Sequence, residues 1–336
     1  MSLKMFDALL PYFGGKRRLC PVIFSHIASL IPREKWQGMV FVDAFLGSGA
    51  VSLYAKAQGF KVIANDIAER SVIAGMALIE NNRFLLADED IQRLFVPNPE
   101  NKHLIETEYI PDVFLRRHAA FLDNAFANAV RPLDKYLLLK YIFHIRPYSK
   151  FSSPNAFNRP MADGRYDEIK QTYSKHIADN LKSPLEICRM EKERINSGVF
   201  SNGLRNEVWR RDAVDFISQV DGDILYLDPP YAGTLSYESE YGVLDRILGD
   251  GNLKSRFSKE DGMDFLDGLL ARSDRFPAWV ISFGNANGKN DLDELVAMVS
   301  KYRTCQAREF AYEHCGAMAS EEHKRQCLEW LVIGCK

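Results

Sequence analysis

Met39-Val40-Phe41-Val42-Asp43-Ala44-Phe45-Leu46-Gly47-Ser48-Gly49 is an apolar run that ends in an aspartate and two closely spaced glycines. Its first half is rich in strand formers and does not alternate, the pattern of a strand covered on both faces. Ser48 to Gln58 then reads as a helix. A strand that passes through glycines straight into a helix is the repeating unit of a doubly wound α/β sheet. The next residues repeat it, with a strand at Lys61–Asp66 (KVIAND) and a helix from Ala68 to Asn81.

The same pattern returns near the other end of the chain. Asp223–Asp228 (DILYLD), Ala278–Phe283 (AWVISF) and Leu328–Ile333 (LEWLVI) read as further buried strands. Helical patterns at Lys259–Arg272 and Asp291–Lys301 flank Ala278–Phe283. The middle differs: residues 88–201 are mostly helical segments and polar loops. There, Leu133–Ile145 reads as a helix and Arg146–Arg165 is rich in Pro, Ser, Asn and Gly. The expected organisation is one α/β domain built from residues 1–87 and 202–336, interrupted by a mainly helical insertion, 88–201.

Composition narrows the function. With 336 residues and 46% hydrophobic side chains, the chain can build a substantial core. A net charge of −2 means that a nucleic-acid partner would need a local basic face. No run of about 18 apolar residues is present, so no membrane span is expected. Lys4 and Asp7 interrupt the first apolar segment, which argues against a signal peptide. The six cysteines have no CxxC spacing, and the seven histidines have no ligand spacing. The expectation is a cytoplasmic protein with reduced thiols and no metal, monomeric by default.

Two segments carry chemistry. In Asp43–Gly49, glycines let backbone approach a ligand closely at a helix N-terminus. At the end of the next strand, Asp66 is placed to accept hydrogen bonds from ribose hydroxyls. The third glycine of a dinucleotide fingerprint is missing, which favours a nucleoside without a pyrophosphate, such as S-adenosylmethionine. In Asp228-Pro229-Pro230-Tyr231, an aspartate stands at the carboxyl end of a buried strand. Two prolines then force rigid, extended backbone. Such a turn can aim the Asp228 carboxylate and backbone carbonyls at one amino group. Tyr231 offers a flat face on which an extruded base can stack. An amino group held there is primed to attack a sulfonium methyl, with positioning as the main source of rate.

With these segments in view, the chain resembles the Dam-type (D12 class) DNA adenine-N6 methyltransferases. Four blocks match in family order: Pro11–Leu19 (PYFGGKRRL), Phe41–Val51 (FVDAFLGSGAV), Asn65-Asp66-Ile67 and Asp228–Tyr231. The resemblance implies an S-adenosylmethionine-dependent, Rossmann-like sheet with an inserted DNA-recognition domain. It implies that Tyr12 and Lys16 bind the methionine part of the cofactor, Lys16 through its carboxylate. The cofactor loop contributes Asp43, Phe45, Gly47, Ser48 and Gly49. Asp66 binds the ribose, Asp212 contacts the adenine, and Asp228 borders the cofactor. Asp228, Pro229, Pro230 and Tyr231 form the catalytic motif, and Ser282–Asn285 occupies the place of a weaker motif near the target base. About 180 residues separate the glycine loop from Asp228, twice what a compact core needs, and this excess places the recognition insertion between them.

For the partner, double-stranded DNA, the residues from Arg131 to Arg165 hold seven Lys or Arg against two acidic residues, with aromatic side chains interleaved. Arg146, Lys150, Asn155, Asn158 and Arg159 are the expected DNA-binding residues. Ala232–Gly242, after the catalytic motif, reads as a mobile loop that orders over substrate. Read from the residues alone, the amino group could also belong to adenine in RNA or to cytosine N4 in DNA. A catalytically silent DNA-binding regulator is the alternative of a different class. No metal is required for the reaction, and the recognition sequence stays open because the middle of the chain departs from the family pattern.

Overall fold

The computed structural model describes residues 3–12, 15–110, 113–145, 182–230, 237–250, 262–285, 290–311 and 328–336, with 3, 237–240 and 311 by backbone alone. The chain forms two compact units. One is drawn from Met1–Pro11, Met76–Phe200 and Tyr237–Asn252, the other from Tyr12–Gly75, Ser201–Ser236 and Leu253–Lys336.

The second unit holds a seven-stranded sheet. Its strands are β1 (Val40–Asp43), β2 (Lys61–Asn65), β3 (Glu207–Trp209), β4 (Ile224–Leu227), β5 (Ala278–Gly284), β6 (Thr304–Ala311) and β7 (Leu328–Cys335). They lie in the order β3-β2-β1-β4-β5-β7-β6. The first five in that order run parallel, and β7 lies antiparallel between β5 and β6. The chain winds outward from β1 in one direction to β2 and β3 and in the other to β4 and β5. The gap between β1 and β4 is therefore the topological switch point, where open α/β sheets take their ligands.

The missing alternation in the central strands has a direct cause. Phe41 of β1 packs against Phe24, Phe60 and Tyr226 on one face. Its neighbour Val42 joins Leu225, Leu227, Trp279, Ile281, Trp330 and Val332 on the other. Both faces are covered, so the middle positions of these strands are apolar, and each large side chain fully buried there contributes about 1.5–3 kcal/mol. Helices Cys20–Leu30, Ala50–Ala57, Glu69–Gly75, Ala213–Gln219, Gly262–Ala271 and Leu292–Ser300 belong to this unit. Gly75 ends one of them at very close approach. A methyl group there would stand 2.7 Å from Leu46 Cδ2 and 2.9 Å from the Val208 methyls, so only glycine brings this helix down onto the loop after β1.

All five expected strands form. Two others were not anticipated from the sequence. β3 is only three residues long and half-buried. β6 carries Gln306, Arg308 and Glu309 exposed along the open edge of the sheet. An edge strand wetted in this way has neither the apolar run nor the alternation that reveals a strand. The helix expected over Ala68–Asn81 is α-helical over Glu69–Gly75 and widens to a π turn over Met76–Glu80.

The first unit is mainly helical, with Asp88–Leu94, Leu104–Glu108, Arg116–Asn128, Pro132–Ile145, Pro184–Asn196 and Tyr237–Ile247. Helix Pro184–Asn196 starts on a capping box, in which Ser183 Oγ accepts from Glu186 N and the Glu186 carboxylate accepts from Ser183 N. Pro132–Ile145 is buried on nearly every side. Within it, Lys140 Nζ donates to the carbonyls of Asp7 (2.9 Å) and Leu9 (3.1 Å) and pairs with Glu191 at 3.2 Å. The Tyr136 hydroxyl donates to the Ala8 carbonyl at 2.7 Å. These bonds place the N-terminal segment in the helical unit, whereas the sequence assigns residues 1–87 to the α/β part. The helical unit likewise takes in the chain from Met76 and the segment Tyr237–Asn252. Among the described residues no helix is long and apolar enough to cross a membrane.

Candidate active site

The loop after β1 is built from its own side chains. Asp43 is 1% exposed and spends its carboxylate locally: Oδ1 accepts from Phe45 N at 3.1 Å, and Oδ2 accepts from Ser52 Oγ at 2.7 Å. Gly47 (φ +53°) and Gly49 (φ +79°) then take the left-handed conformation that glycine adopts without strain. Leu46 N donates to Asn65 O at 2.8 Å and Ala44 N to Tyr226 O at 3.2 Å. The loop is thereby stitched to the ends of β2 and β4, over the switch point. Phe45 packs into the core below, and Ser48 is buried.

Asp66, just past β2, accepts from Gly47 N at 2.8 Å and from Ala68 N at 2.9 Å. Burial outweighs these bonds and raises its pKa above the usual carboxylate value. Each carboxylate oxygen still has a second lone pair with which to accept from a hydroxyl. Asp212 caps helix Ala213–Gln219 by accepting from Val214 N at 3.0 Å. Its position is fixed by Asn65, which donates to the Arg211 carbonyl and accepts from Arg211 N. The Tyr12 ring lies across the loop, 3.7 Å from where a Cβ on Gly47 would stand, and its hydroxyl accepts from Arg70 Nε at 3.2 Å.

Asp43 also gives the site a pH signature. Burial raises its pKa to about 7 against the pull of its two hydrogen bonds, with the neighbouring Asp228 and Asp66 carboxylates adding to the rise. A folded pKa above the unfolded value means that the contribution to stability is complete below about pH 4 and is lost as pH rises to about 7. Asp43→Asn keeps an acceptor for Phe45 N and removes the charge. Urea unfolding of this variant at pH 5 and pH 7.5 is expected to lack the component of stability loss that the parent shows over that interval. An unchanged pH dependence would contradict the assignment.

At the end of β4, Asp228 is 19% exposed, and its Oδ1 pairs with Lys16 Nζ at 3.1 Å. The same ammonium pairs with Glu329 Oε1 on β7 at 2.5 Å, and both Lys16 (3%) and Glu329 (1%) are buried. Burial pulls the lysine pKa down, but the two carboxylates outweigh it, and the net shift is upward. The tight turn before Lys16, where Gly15 N donates to Tyr12 O at 3.2 Å, needs glycine: a Cβ on Gly15 would stand 3.1 Å from that carbonyl. Pro229 is buried and Pro230 half-buried. The structure thus gathers Tyr12, Lys16, the loop Asp43–Gly49, Asp66 and Asp228 at one end of the parallel strands.

Tyr231 and the DNA-binding set Arg146, Lys150, Asn155, Asn158 and Arg159 are outside the described residues. The described part of the basic stretch, Arg131–Ile145, is internal. Arg131 pairs with Asp134 and Asp90, and Tyr136, Tyr141 and Phe143 are buried. His118, also buried there, hydrogen-bonds the Tyr141 hydroxyl. From Tyr237 onward the expected substrate loop is helix, and residues 232–236 are outside the described set. Glu329 was missed, although one signal was legible: an acidic residue inside an apolar strand must find a buried partner.

The model of the D12 class N6 adenine-specific DNA methyltransferases matches residues 12–258. The chain is similar to the Type II methyltransferase M2.HphI of Haemophilus parahaemolyticus, 27% identical over 86% of this chain and 87% of that protein. It is similar to the Type II methyltransferase M.NlaIII of Neisseria lactamica, 27% identical over 70% of this chain and 68% of that protein. A 27% identity to the Type II methyltransferase M.FokI of Planomicrobium okeanokoites covers 62% of this chain and 32% of that larger protein.

Proposed function

The chain belongs to the D12 class N6 adenine-specific DNA methyltransferases, and from that premise we propose how its residues divide the work of methylating adenine in double-stranded DNA. The residues around the glycine loop suit S-adenosylmethionine. Left-handed Gly47 and Gly49 put no side chain on the loop, Tyr12 covers it, and Asp66 follows β2 and ties to the loop through Gly47 N. Tyr12, Phe45, Gly47, Ser48 and Gly49 hold the cofactor, Asp66 holds its ribose and Asp212 borders its adenine. Asp43 shapes the loop from within. When bound, S-adenosylmethionine supplies the electrophilic sulfonium methyl.

The chain's own part of the reaction is to hold the target amine. Asp228 and the Pro229 carbonyl accept its two N–H bonds, which directs the nitrogen lone pair and withdraws no electron density from it. Pro229 and Pro230 keep this turn rigid, and Tyr231 stacks on the extruded base. The Lys16 ammonium, already shared between two carboxylates of the chain, serves to orient Asp228. The observation that carries this reading is Asp228 itself: at the switch-point end of β4, beside the glycine loop, and tied to a buried lysine. Arg146, Lys150, Asn155, Asn158 and Arg159 are assigned to DNA. The protein works as a monomer in the cytoplasm of a bacterium or of a phage-infected cell, as the modifying member of a restriction-modification pair.

The test is methyl transfer from labelled S-adenosylmethionine to unmethylated genomic DNA, followed by digestion to nucleosides and mass spectrometry. N6-methyladenine at a recurrent site is the expected product. Methylcytosine as the product, or methylation of RNA alone, would overturn the assignment of substrate.

A further inference from the structure

Glu329 is a charged side chain, 1% exposed, at the start of β7 and remote in sequence from every matched motif. A buried carboxylate costs several kcal/mol unless it is paired, so its place in β7 calls for a reason. Its partner is the Lys16 ammonium, and the separation of 2.5 Å is the shorter of the two that lysine makes. The register sets it there. Glu329 lies opposite Gly284 of β5 and Phe310 of β6, and the strand ends of β4 and β5 adjoin.

We propose that Glu329 is a positioning residue for methyl transfer: it fixes Lys16 and, through Lys16, sets the orientation and charge of the Asp228 carboxylate. The inference rests on the assignment of Asp228 above and deepens it. If Lys16 answered Asp228 alone, the pair would be neutral, and the ammonium could close on both carboxylate oxygens. With Glu329 present, one positive charge is shared by two negative ones. Asp228 stays a strong acceptor for the amine, and the cluster keeps a net negative charge close to a nitrogen that becomes positive as it takes the methyl group. A preorganised charge of the right sign at that point lowers the barrier. The logic is that of a base oriented by a third group, transferred to a lysine and a carboxylate.

Among the described residues, the charged groups paired with Lys16 include Asp228 from the end of β4 and Glu329 from β7. Asp43 of β1 and Tyr226 of β4 act on the Asp228 side, and the Cys20 thiol and Arg17 lie on the lysine's own segment. Of the two carboxylates that hold the lysine charged, Glu329→Gln removes one. The variant is therefore expected to show a methyl-transfer rate lowered about 10- to 100-fold.

Single-turnover methylation of unmethylated genomic DNA, with calorimetric titration of S-adenosylmethionine into the DNA-free protein, separates rate from binding. The expected result is the slower rate with cofactor affinity within about threefold of the parent. Glu329→Asp, which retains the charge, should recover most of the rate. A Glu329→Gln rate within about twofold of the parent, or a loss of cofactor binding that matches the loss of rate, overturns the proposal. If Glu329→Gln does not fold, Glu329→Asp decides alone: a rate within about threefold of the parent supports the proposal and a larger loss overturns it. Wild-type protein that makes no N6-methyladenine in the same assay would instead sink the reading of Asp228, whatever the variants do.

Discussion

Asp228→Ala protein is expected to fold, to bind S-adenosylmethionine as the parent does, and to lose methyl transfer by about a thousandfold. The first two expectations follow from the ion cluster. Removing Asp228 leaves Lys16 with Glu329, a buried one-to-one pair that is still satisfied. The residue removed is the most exposed of the three, so the core below β4 is untouched. The third expectation follows from chemistry. An amine without its acceptor is neither oriented nor kept electron-rich, and deletion of one preorganised electrostatic partner typically costs about 10²–10³ in rate, with misplacement of the nucleophile adding to it. Single-turnover labelling with mass-spectrometric identification of the nucleoside measures the loss, and calorimetry measures cofactor affinity. Residual activity within tenfold of the parent would remove Asp228 from the catalytic motif.

Lys16→Met is expected to have the largest effect on stability. The substitution keeps most of the volume but leaves the Asp228 and Glu329 carboxylates without the ammonium that both address. Breaking a buried ion cluster from one side costs about 3–5 kcal/mol. For a protein of this size that corresponds to a fall in Tm of about 4–7 °C. Thermal unfolding followed by circular dichroism reads it. The double variant Lys16→Met/Glu329→Gln should recover part of the loss, since it removes the most deeply buried charge that the single variant strands. Equal Tm values for the parent and Lys16→Met would show that the cluster does not support the fold.

Much of this was legible in residues alone, for identifiable reasons. Phe41-Val42 and Leu225-Tyr226-Leu227 announce buried parallel strands because both faces of the sheet are covered there and both call for apolar side chains. The glycine loop and Asp228 were legible because they are local: a left-handed backbone demands glycine at 47 and 49, and Pro229 and Pro230 end the strand wherever the fold places it. β6 was not legible, because an edge strand facing water reads like a loop. Nor was the buried character of Tyr136, Lys140 and Tyr141, which in sequence look like a basic, aromatic surface. They are internal because Asp7, Ala8 and Leu9 offer carbonyls to them and Glu191 offers a charge.

The sequence by itself determined the class of sheet, the left-handed glycines of the loop after β1 and the family, since each depends on residues adjacent in the chain whose conformations are dictated locally. Only the tertiary structure decided the strand order β3-β2-β1-β4-β5-β7-β6, and with it the meeting of Lys16, Asp228 and Glu329. Those three come from distant parts of the chain, and no local preference relates them. What joins them is the rule that a charge taken out of water must find its opposite, and the pairing of β7 with β5 is what puts the opposite within reach.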